Sequence, residues 1–368
     1  MDRMNPFTPS FGEIPAHMAG RKAIVSDLVR AFESKTRRPE LTTLFSGARG
    51  TGKTTLLALL AHKAESLGWI SVSTTSIPGM LEDLEIGIRK QAAHLLEGDS
   101  GRQLTGVEIA NIGALSFQNA DTPKSNWRSR VTEVLEQLSA TDTGLLITVD
   151  EIDPSLNEMV ELAAVYQHFV REGRKVALLM AGLPHNVSAF TGSKSVSFLR
   201  RAQRYVLSRI PDSEVEDAFL RTVVENGREP DMQGLKKAVS AIEGFPFLMQ
   251  LVGYRSWDVH AQEKSISEND FELGIDLARA ELEGKILAAT FRELSDEDIR
   301  FLTAMLEDED GTKAADLVKR LDRSSAQVAQ YRRRLIDAGI IGERRRGVVG
   351  FDLPYFREFL AKQVGFEG

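Results

Sequence analysis

Hydrophobic residues in the first 208 positions follow two alternating patterns. Four short apolar runs have the length and aliphatic content of buried strands, and they lie at 41–45, 69–73, 144–149 and 176–180. In the intervening stretches apolar residues recur every three or four positions, at about 21–35, 53–67, 80–96, 126–140 and 155–172. Strands that alternate with amphipathic helices predict a parallel sheet covered by helices on both faces. Residues 98–124 fit neither pattern well, and the alternation at 107–112 favours an inserted hairpin.

After residue 208 the strand pattern largely disappears. Helical periodicity predicts helices at 212–226, 232–243, 246–262 and 268–292. The remaining residues predict a helix-turn-helix followed by a β-hairpin, which is the arrangement of a winged helix. The chain is therefore expected to have four parts: an extended arm rich in Pro, Phe and Gly at 1–13, an α/β domain at 14–208, an all-α domain at 209–292 and a winged-helix domain at 293–368.

The composition is that of an ordinary soluble protein, with 42% hydrophobic and 27% charged residues among 368. No apolar run approaches the roughly 20 residues that cross a bilayer, and residues 1–6 lack the apolar core of a signal peptide. We therefore expect no membrane anchor and a cytoplasmic location. The absence of cysteine excludes disulfides and thiolate metal sites. The net charge of −7 argues against nucleic-acid binding over the whole surface, but it leaves room for a local basic face.

A glycine-rich loop after the first predicted strand carries the strongest chemical signal. Gly47–Thr54 reads GARGTGKT, a complete G-x-x-x-x-G-K-[ST] phosphate-binding motif that opens the next helix. Glycines let successive backbone N–H groups turn toward an anion, and the helix N-terminus adds positive potential. The alternative is a Gly-rich turn with an incidental lysine. The nucleotide-binding residues predicted from the loop are Gly47, Ala48, Arg49, Gly50, Thr51, Gly52, Lys53, Thr54 and Thr55.

Within this motif, Lys53 is expected to reach the β- and γ-phosphates, while the Thr54 hydroxyl ligates Mg²⁺. Two acidic residues then follow the buried strand at 144–149. Because α/β sheets bind ligands at the carboxyl ends of their strands, Asp150 is expected to hold Mg²⁺ through its water shell and Glu151 to polarise the attacking water. The alternative is that this acidic pair merely opens the next helix, where the helix dipole favours negative charge. Asp153 fits a helix cap.

These features resemble the AAA+ ATPases of the origin-recognition initiator and STAND signalling group. Met18-Ala19-Gly20-Arg21 resembles the box that lies near the adenine in that group, which implies nucleotide contacts from Gly20 and Arg21. The acidic run at 150–153 resembles the initiators' acidic motif. Gly244-Phe245-Pro246 resembles the Gly-x-Pro motif of STAND lids, which implies that Pro246 approaches the nucleotide. The resemblance covers about residues 14–368 and implies an α/β P-loop NTPase fold with a parallel sheet, an all-α lid and ATP and Mg²⁺ as ligands.

Several positions depart from the pattern of that group. The strand at 176–180 is expected between the strand before the phosphate loop and the strand that ends at Asp150. Relatives place a polar γ-phosphate sensor at the end of this strand, whereas Ala181 and Gly182 offer no polar side chain. Lys22 stands where the group usually has Glu.

A basic segment before the all-α domain resembles the source of an arginine finger, which one subunit supplies to its neighbour in a homo-oligomer. Arg200 and Arg201 are the candidates, and the alternative is a basic helix end that faces solvent. Without a finger the resemblance implies slow turnover, with the nucleotide acting mainly as a switch.

The C-terminal part has the local basic face. Residues 313–346 contain ten Lys or Arg and four Asp or Glu, a balance of +6. Such enrichment suits the neutralisation of phosphates. The expected DNA contacts are Gln327, Gln330 and Arg333 in a major groove and Arg344, Arg345 and Arg346 on the hairpin. The alternative is a protein-docking module whose arginines are solvated.

The sequence therefore predicts an enzyme that binds and hydrolyses ATP, with Lys53 and Glu151 as catalytic residues, and that couples nucleotide state to duplex DNA binding. The alternative is a STAND-type regulatory switch that hydrolyses ATP rarely and binds a protein partner. The lid motif and the missing polar sensor favour the switch, and the basic hairpin favours DNA.

Overall fold

The computed structural model describes residues 4–10, 12–98 and 126–366. The chain divides into two compact units. The sheet unit comprises Ala23–Ser46 and Lys53–Val206, and the helical unit comprises Met1–Lys22, Gly47–Gly52 and Leu207–Gly368. The hairpin expected at 98–124 lies outside the described residues. In the part of the chain that is described, no helix has both the length and the apolar character required to span a bilayer.

The sheet unit is built on a parallel sheet, as predicted. Its strands within the described ranges are β1 (Thr42–Ser46), β2 (Trp69–Thr75), β3 (Gly144–Asp150), β4 (Val176–Gly182) and β5 (Gln203–Val206), in the order β2-β3-β4-β1-β5. The position of β4 between β1 and β3 is confirmed. The edge strand β5 was not predicted, because its alternate residues are exposed and its sequence is mostly polar.

Helices connect these strands, and the predicted helical segments of this unit are confirmed. They are α1 (Lys22–Glu33), α2 (Lys53–Ser66), α3 (Met80–Gly98), α4 (Trp127–Ala140) and α5 (Asn157–Arg171). The helix α6 (Pro184–Gly192) was not predicted, and 3-10 turns lie at Pro39–Leu41 and Lys194–Arg201. Leu145 and Leu146 are adjacent in β3 and point to opposite faces, yet both are fully buried. The sheet is therefore covered on both faces, which explains the continuous apolar run of this strand.

The helical unit begins, after Leu207, with the predicted all-α segment. Its helices are α7 (Asp212–Glu225), α8 (Met232–Ile242), α9 (Pro246–Val259), α10 (Glu268–Leu282) and α11 (Ala288–Arg292), with a π-helical turn at Glu283–Leu287. The short strands β6 (Glu229–Pro230) and β7 (Ser265–Ile266) pair in parallel. Asp231 caps α8, and Ser267 and Asp270 form a capping box at the start of α10.

The C-terminal segment of the same unit contains helices and a small antiparallel sheet. The helices are α12 (Asp296–Met305), α13 (Ala314–Leu321), α14 (Ser325–Asp337) and α15 (Phe356–Val364). The strands, in the described residues, are β8 (Thr312–Lys313), β9 (Ile341–Arg345) and β10 (Val348–Phe351), in the order β8-β10-β9. Asp322, at φ +48°, ends α13, and the Ser324 capping box starts α14.

The N-terminal arm packs against the helices of this unit. Phe7 is 2% exposed, and its ring centroid lies 4.8 Å from that of Phe219. A Cβ at Gly253 would lie 2.3 Å from the Phe7 ring, so the absence of a side chain there makes room for the aromatic group. The Thr8 amide donates to Oε1 of Gln250 at 2.9 Å, and Nδ2 of Asn5 donates to the Tyr254 carbonyl at 3.0 Å. The arm therefore contributes to the core of the helical unit.

Replacing Phe7 with Ala should lower the free energy of unfolding by about 3–5 kcal/mol, because it removes a buried aromatic side chain and leaves a cavity. Urea unfolding followed by circular dichroism measures this loss. The control is Met4→Ala, since Met4 is 88% exposed and its removal should change stability by less than about 0.5 kcal/mol. Equal unfolding midpoints for the two variants would contradict the packing role of the arm.

Candidate functional site

The parallel strands of the sheet unit place the predicted metal ligands together. All carboxyl ends lie at one edge, which brings the end of β3 close to the first turn of α2 within the same unit. The Thr54 hydroxyl, in the first turn of α2, donates to Oδ2 of Asp150 at 2.5 Å. A hydroxyl and a carboxylate are hard oxygen donors, and Mg²⁺ is held by few such protein ligands while it keeps several waters. Thr54 and Asp150 therefore fit the predicted Mg²⁺ site.

The backbone conformation of Glu151 is unusual. This residue has φ +55°, the left-handed region that costs a non-glycine residue about 1–2 kcal/mol. Its amide donates to Oδ1 of Asp150 at 2.9 Å, and the next amide, that of Ile152, donates to the Ala181 carbonyl at 2.9 Å. The Glu151 side chain is exposed. Because α5 begins only at Asn157, the alternative in which the acidic pair opens the next helix is wrong.

The carboxylate of Asp153 is used locally. Its Oδ1 accepts hydrogen bonds from the Ser155 amide at 2.8 Å and from the Ser155 hydroxyl at 2.7 Å. These hydrogen bonds lower the pKa of Asp153. The residue therefore stabilises the turn that precedes α5.

The end of β4 is closely packed at Gly182, where the group has a polar sensor. A Cβ at this position would lie 3.1 Å from Cβ of Ile152 and 3.3 Å from its backbone nitrogen. Ile152 is completely buried and is fixed to Ala181 by the backbone hydrogen bond described above. The missing polar side chain follows from the close packing of the two strand ends.

The glycines of the phosphate loop are required by its shape and its neighbours in the helical unit. A Cβ at Gly47 would lie 2.7 Å from the Leu207 carbonyl oxygen, so only glycine fits there. Gly50 and Gly52 have φ +78° and +82°, which glycine adopts at little cost. A Cβ at Gly52 would lie 3.6 Å from Cβ and Cγ of Pro246. The proline of the Gly-Phe-Pro motif therefore lies beside the phosphate loop.

The arginine of the Gly-Arg box is fixed by backbone carbonyls. Arg21 is 7% exposed, and its guanidinium donates to the carbonyls of Gly20 at 3.2 Å, Thr51 at 3.3 Å and Ser208 at 3.1 Å. Burial lowers the pKa of Arg21, and the charge of Glu214 opposes this shift. Because these donors are occupied, the guanidinium of Arg21 stabilises the phosphate loop through its hydrogen bond to the Thr51 carbonyl. Its predicted contact with a nucleotide stays a prediction.

The two arginine-finger candidates differ in their contacts. Arg200 donates to the carbonyls of Thr191 at 3.3 Å and Gly192 at 3.4 Å, so its guanidinium lies at the end of α6. Arg201 is exposed, and its side chain makes no hydrogen bond or ion pair with any residue that the structure describes. Arg201 is therefore the better placed of the two to reach another molecule.

The predicted DNA-contacting residues fall into two groups. Arg344 donates to Oδ1 of Asp352 at 2.6 Å and to the Phe351 carbonyl at 2.5 Å, and Oε1 of Gln327 accepts from the Ser324 amide at 3.1 Å in the capping box. The others have exposed side chains without hydrogen bonds or ion pairs to described residues, and they are Gln330, Arg333, Arg345 and Arg346. Only part of the formal charge of this segment is thus available to a partner.

The sequence reasoning missed a segment that contacts several parts of the site. Ser208 accepts from Arg21, Leu207 lies against Gly47, and Arg209 stacks on Phe245 with its guanidinium carbon 4.8 Å from the ring centroid. No local motif marks these residues. Their contacts are with residues 34 or more positions away in the chain, so a pattern read from neighbouring positions does not detect them.

Replacing Glu151 with Gly should raise the free energy of unfolding by about 0.5–1 kcal/mol, because glycine relieves the left-handed strain. Asp142→Gly is the matched control: Asp142 has φ +52°, its side chain is 93% exposed, and it should show a similar gain. Glu151→Gln keeps the strain and should show no gain. Urea unfolding compares the three variants. A loss of stability in Glu151→Gly alone would contradict the assignment of strain to this residue.

Comparisons with known proteins bear on the fold. The family model "Domain of unknown function (DUF8462)" matches residues 284–360. No curated protein matches the chain in sequence. The chain is similar to the Walker-type ATPase of Pyrococcus abyssi, at TM-score 0.66 and 14% identity over 93% of this chain and 96% of that one. It is also similar to the ORC2 protein of Aeropyrum pernix in ADPNP–ADP complexes, at TM-score 0.63 and 14% identity over 97% of each chain.

A third similar structure, Cdc6p from Pyrobaculum aerophilum, has a TM-score of 0.50 and 14% identity over 97% of each chain. At these identities the comparisons establish the backbone arrangement. Their coverage extends over almost the whole chain, and their strand-and-helix architecture agrees with the parallel sheet described above. The predicted α/β fold with a parallel sheet is confirmed, since the chain shares the backbone arrangement of these Walker-type ATPase, ORC2 and Cdc6p structures, whereas the winged helix stays a prediction.

Proposed function

We propose that the chain binds ATP with Mg²⁺ and hydrolyses it. The observation that carries this proposal is the direct contact between Thr54 and Asp150, which joins the first turn after the phosphate loop to the acidic end of β3. A P-loop NTPase needs this pair because both side chains serve the metal that bridges the β- and γ-phosphates. The similarity to nucleotide-bound ORC2 supports the same conclusion at the level of the fold.

Each residue has a role that follows from its chemistry. The backbone N–H groups from Gly47 to Thr55 bind phosphate oxygens, and Lys53 neutralises the charge that develops on the γ-phosphate. Thr54 and Asp150 would hold Mg²⁺, which withdraws charge from the phosphates. Glu151 follows the metal ligand directly and is exposed, so it can accept a proton from the attacking water. We assign the adenine side of the site to Gly20 and Arg21, and a contact with the nucleotide near the phosphate loop to Pro246.

Replacing Lys53 with Ala should abolish measurable ATP binding, because it removes the cation that holds the terminal phosphates. Glu151→Gln keeps the size and conformation of the side chain but removes its basicity. It should leave ATP affinity near that of the wild type and lower the hydrolysis rate by about 10²–10⁴-fold. Fluorescent-nucleotide binding and phosphate release measure the two effects.

The control for both variants is Lys63→Ala, which removes a lysine from the far end of α2 and should leave binding and hydrolysis intact. Undiminished hydrolysis in Lys53→Ala would show that the site lies elsewhere. Undiminished hydrolysis in Glu151→Gln would assign the general base to another group.

We further propose that residues 293–368 act as a winged helix that binds duplex DNA, with 209–292 as the lid. Gln330 and Arg333 lie three positions apart on α14 and thus share a helix face, where Ala326 and Ala329 are small and exposed. Small side chains allow a helix to approach the floor of a major groove closely. Arg345 and Arg346 are at the tip of the β9–β10 hairpin and are exposed, so they are placed to contact phosphates.

The double variant Arg345→Ala/Arg346→Ala should weaken duplex binding and reduce the slope of log affinity against log salt by about two, because two phosphate contacts are lost. Fluorescence anisotropy with a labelled duplex across a salt series measures the slope. The charge-matched control is Arg221→Ala/Arg300→Ala, since these arginines are paired with Glu225 and Glu297 on other helices. Identical slopes for the two double variants would contradict DNA contact by the hairpin.

The alternative function is a nucleotide-dependent switch that binds a protein partner. Two observations favour it: Pro246 lies beside the phosphate loop, as a STAND lid requires, and the end of β4 has no polar sensor at Gly182, where a side chain would crowd Ile152. Slow hydrolysis would follow if no arginine finger completes the site. In a homo-oligomer, Arg201 is the residue that we propose for that role, because the guanidinium of Arg200 donates to the Thr191 carbonyl of its own chain.

A further inference from the structure

Four consecutive residues of the helical unit, Leu207 to Ile210, contact different parts of that unit. Ile210 donates its amide to the Gly244 carbonyl at 2.8 Å and fills the space in front of Gly20, where a Cβ would lie 2.8 Å from its side chain. Leu207 lies against Gly47 of the phosphate loop, as described above. This segment, residues 207–210, is therefore in contact with the phosphate loop, the Gly-Arg box and the start of the Gly-Phe-Pro motif.

Arg209 extends these contacts in two directions. On one side its guanidinium stacks on Phe245, which is 3% exposed. Phe245 in turn lies at the phosphate loop, because a Cβ at Gly50 would be 3.9 Å from its ring. On the other side Nη2 of Arg209 donates to the Asp352 carbonyl at 3.5 Å. The side chain of Arg209 thus contacts both Phe245, near the phosphate loop, and Asp352, which follows β10.

A third contact fixes the orientation of this guanidinium. Nη1 of Arg209 donates to Oε2 of Glu243 at 3.3 Å. Glu243 ends α8 at φ +50°, and its burial raises the pKa of its carboxyl group while the charge of Arg209 lowers it. The planar guanidinium of arginine can lie over an aromatic ring and donate hydrogen bonds in two directions at once. The ammonium group of lysine lacks this geometry.

Asp352 connects this bridge to the basic hairpin. Its carboxylate accepts from Arg344 at 2.6 Å, and it also occupies the space over Gly342, where a Cβ would lie 2.0 Å from Oδ2. Arg344 and Gly342 both belong to β9. Contacts therefore run from Phe245, whose ring lies near Gly50, through Arg209 and Asp352 to the strand that carries Arg345 into the hairpin tip.

We propose that Arg209 is a positioning residue that couples the conformation of the phosphate loop to the β9–β10 hairpin, so that the nucleotide regulates the surface that carries Arg345 and Arg346. The proposal rests on the proposed nucleotide binding. The phosphate loop changes its contacts when phosphates occupy it, and Phe245 transmits that change because it is packed between the loop and Arg209. The hairpin responds because Asp352 holds both Arg209 and Arg344.

The test is hydrogen–deuterium exchange on the full chain, without nucleotide and with Mg²⁺ plus ADP or a slowly hydrolysed ATP analogue. In the wild type, nucleotide should protect residues 47–55 and change the exchange rate of residues 341–352 by on the order of fivefold. Arg209→Gln should bind nucleotide with an affinity within about threefold of the wild type and should still protect the loop. Its response at residues 341–352 should fall below about twofold.

Two further variants separate coupling from a structural role. Glu243→Gln removes the ion pair but keeps the stack on Phe245, and it should lose part of the hairpin response. Arg221→Gln breaks an Arg–Glu pair on α7 in the same unit and should keep the full response. If Arg209 were merely structural, Arg209→Gln would raise exchange at the hairpin equally with and without nucleotide, and the unchanged ratio would overturn the proposal.

The remaining outcomes distinguish this proposal from the proposed function. Loop protection in the wild type without any hairpin response would overturn the coupling and leave nucleotide binding intact. Absence of loop protection in the wild type, at nucleotide concentrations that saturate P-loop ATPases, would overturn nucleotide binding and the coupling with it.

Discussion

The candidate site depends on one geometric constraint, the parallel alignment of β3, β4 and β1. Because all three strands run in the same direction, the acidic end of β3 and the carboxyl end of β1 lie at one edge of the sheet. The hydrogen bond from Thr54 to Asp150 spans the strand between them. An antiparallel β4 or a different strand order would place these oxygens apart, and Thr54 could not then donate to Asp150.

Close packing at this edge accounts for two unusual features, the glycine at the end of β4 and the left-handed conformation of Glu151. Gly182 has no sensor side chain, and a side chain there would crowd Ile152, whose Cβ lies 3.1 Å from the position of a Cβ at Gly182. Ile152 takes that position because Glu151 turns the chain through a left-handed conformation. The strain of Glu151 is thus balanced by the burial of Ile152 and by its hydrogen bond to Ala181. Strained backbone conformations persist where the surrounding structure holds them in place, and they are common at functional sites.

In the helical unit, many basic side chains form ion pairs with acidic side chains. Many arginines of the C-terminal segment are held by acidic residues, among them Arg320 by Asp308, Arg334 by Asp298 and Arg344 by Asp352. Among the exposed cations without an ion pair to a described residue are Arg333 on α14 and Arg345 and Arg346 at the hairpin tip. This arrangement lets a chain with a net charge of −7 present a small basic surface. The same pairing fixes Asp352, which places the hairpin in contact with Arg209.

The sequence by itself determined the features that are local. The order of strands and helices followed from hydrophobic periodicity, and the phosphate loop and the acidic end of β3 followed from residue types at fixed spacing. The tertiary structure decided what depends on distant residues: the burial of Phe7 against Phe219, the pairing of Arg344, the left-handed turn at Glu151 and the contacts of Arg209. Each of these requires side chains or backbone groups that folding brings together, and the pattern of neighbouring residues carries no information about such pairs.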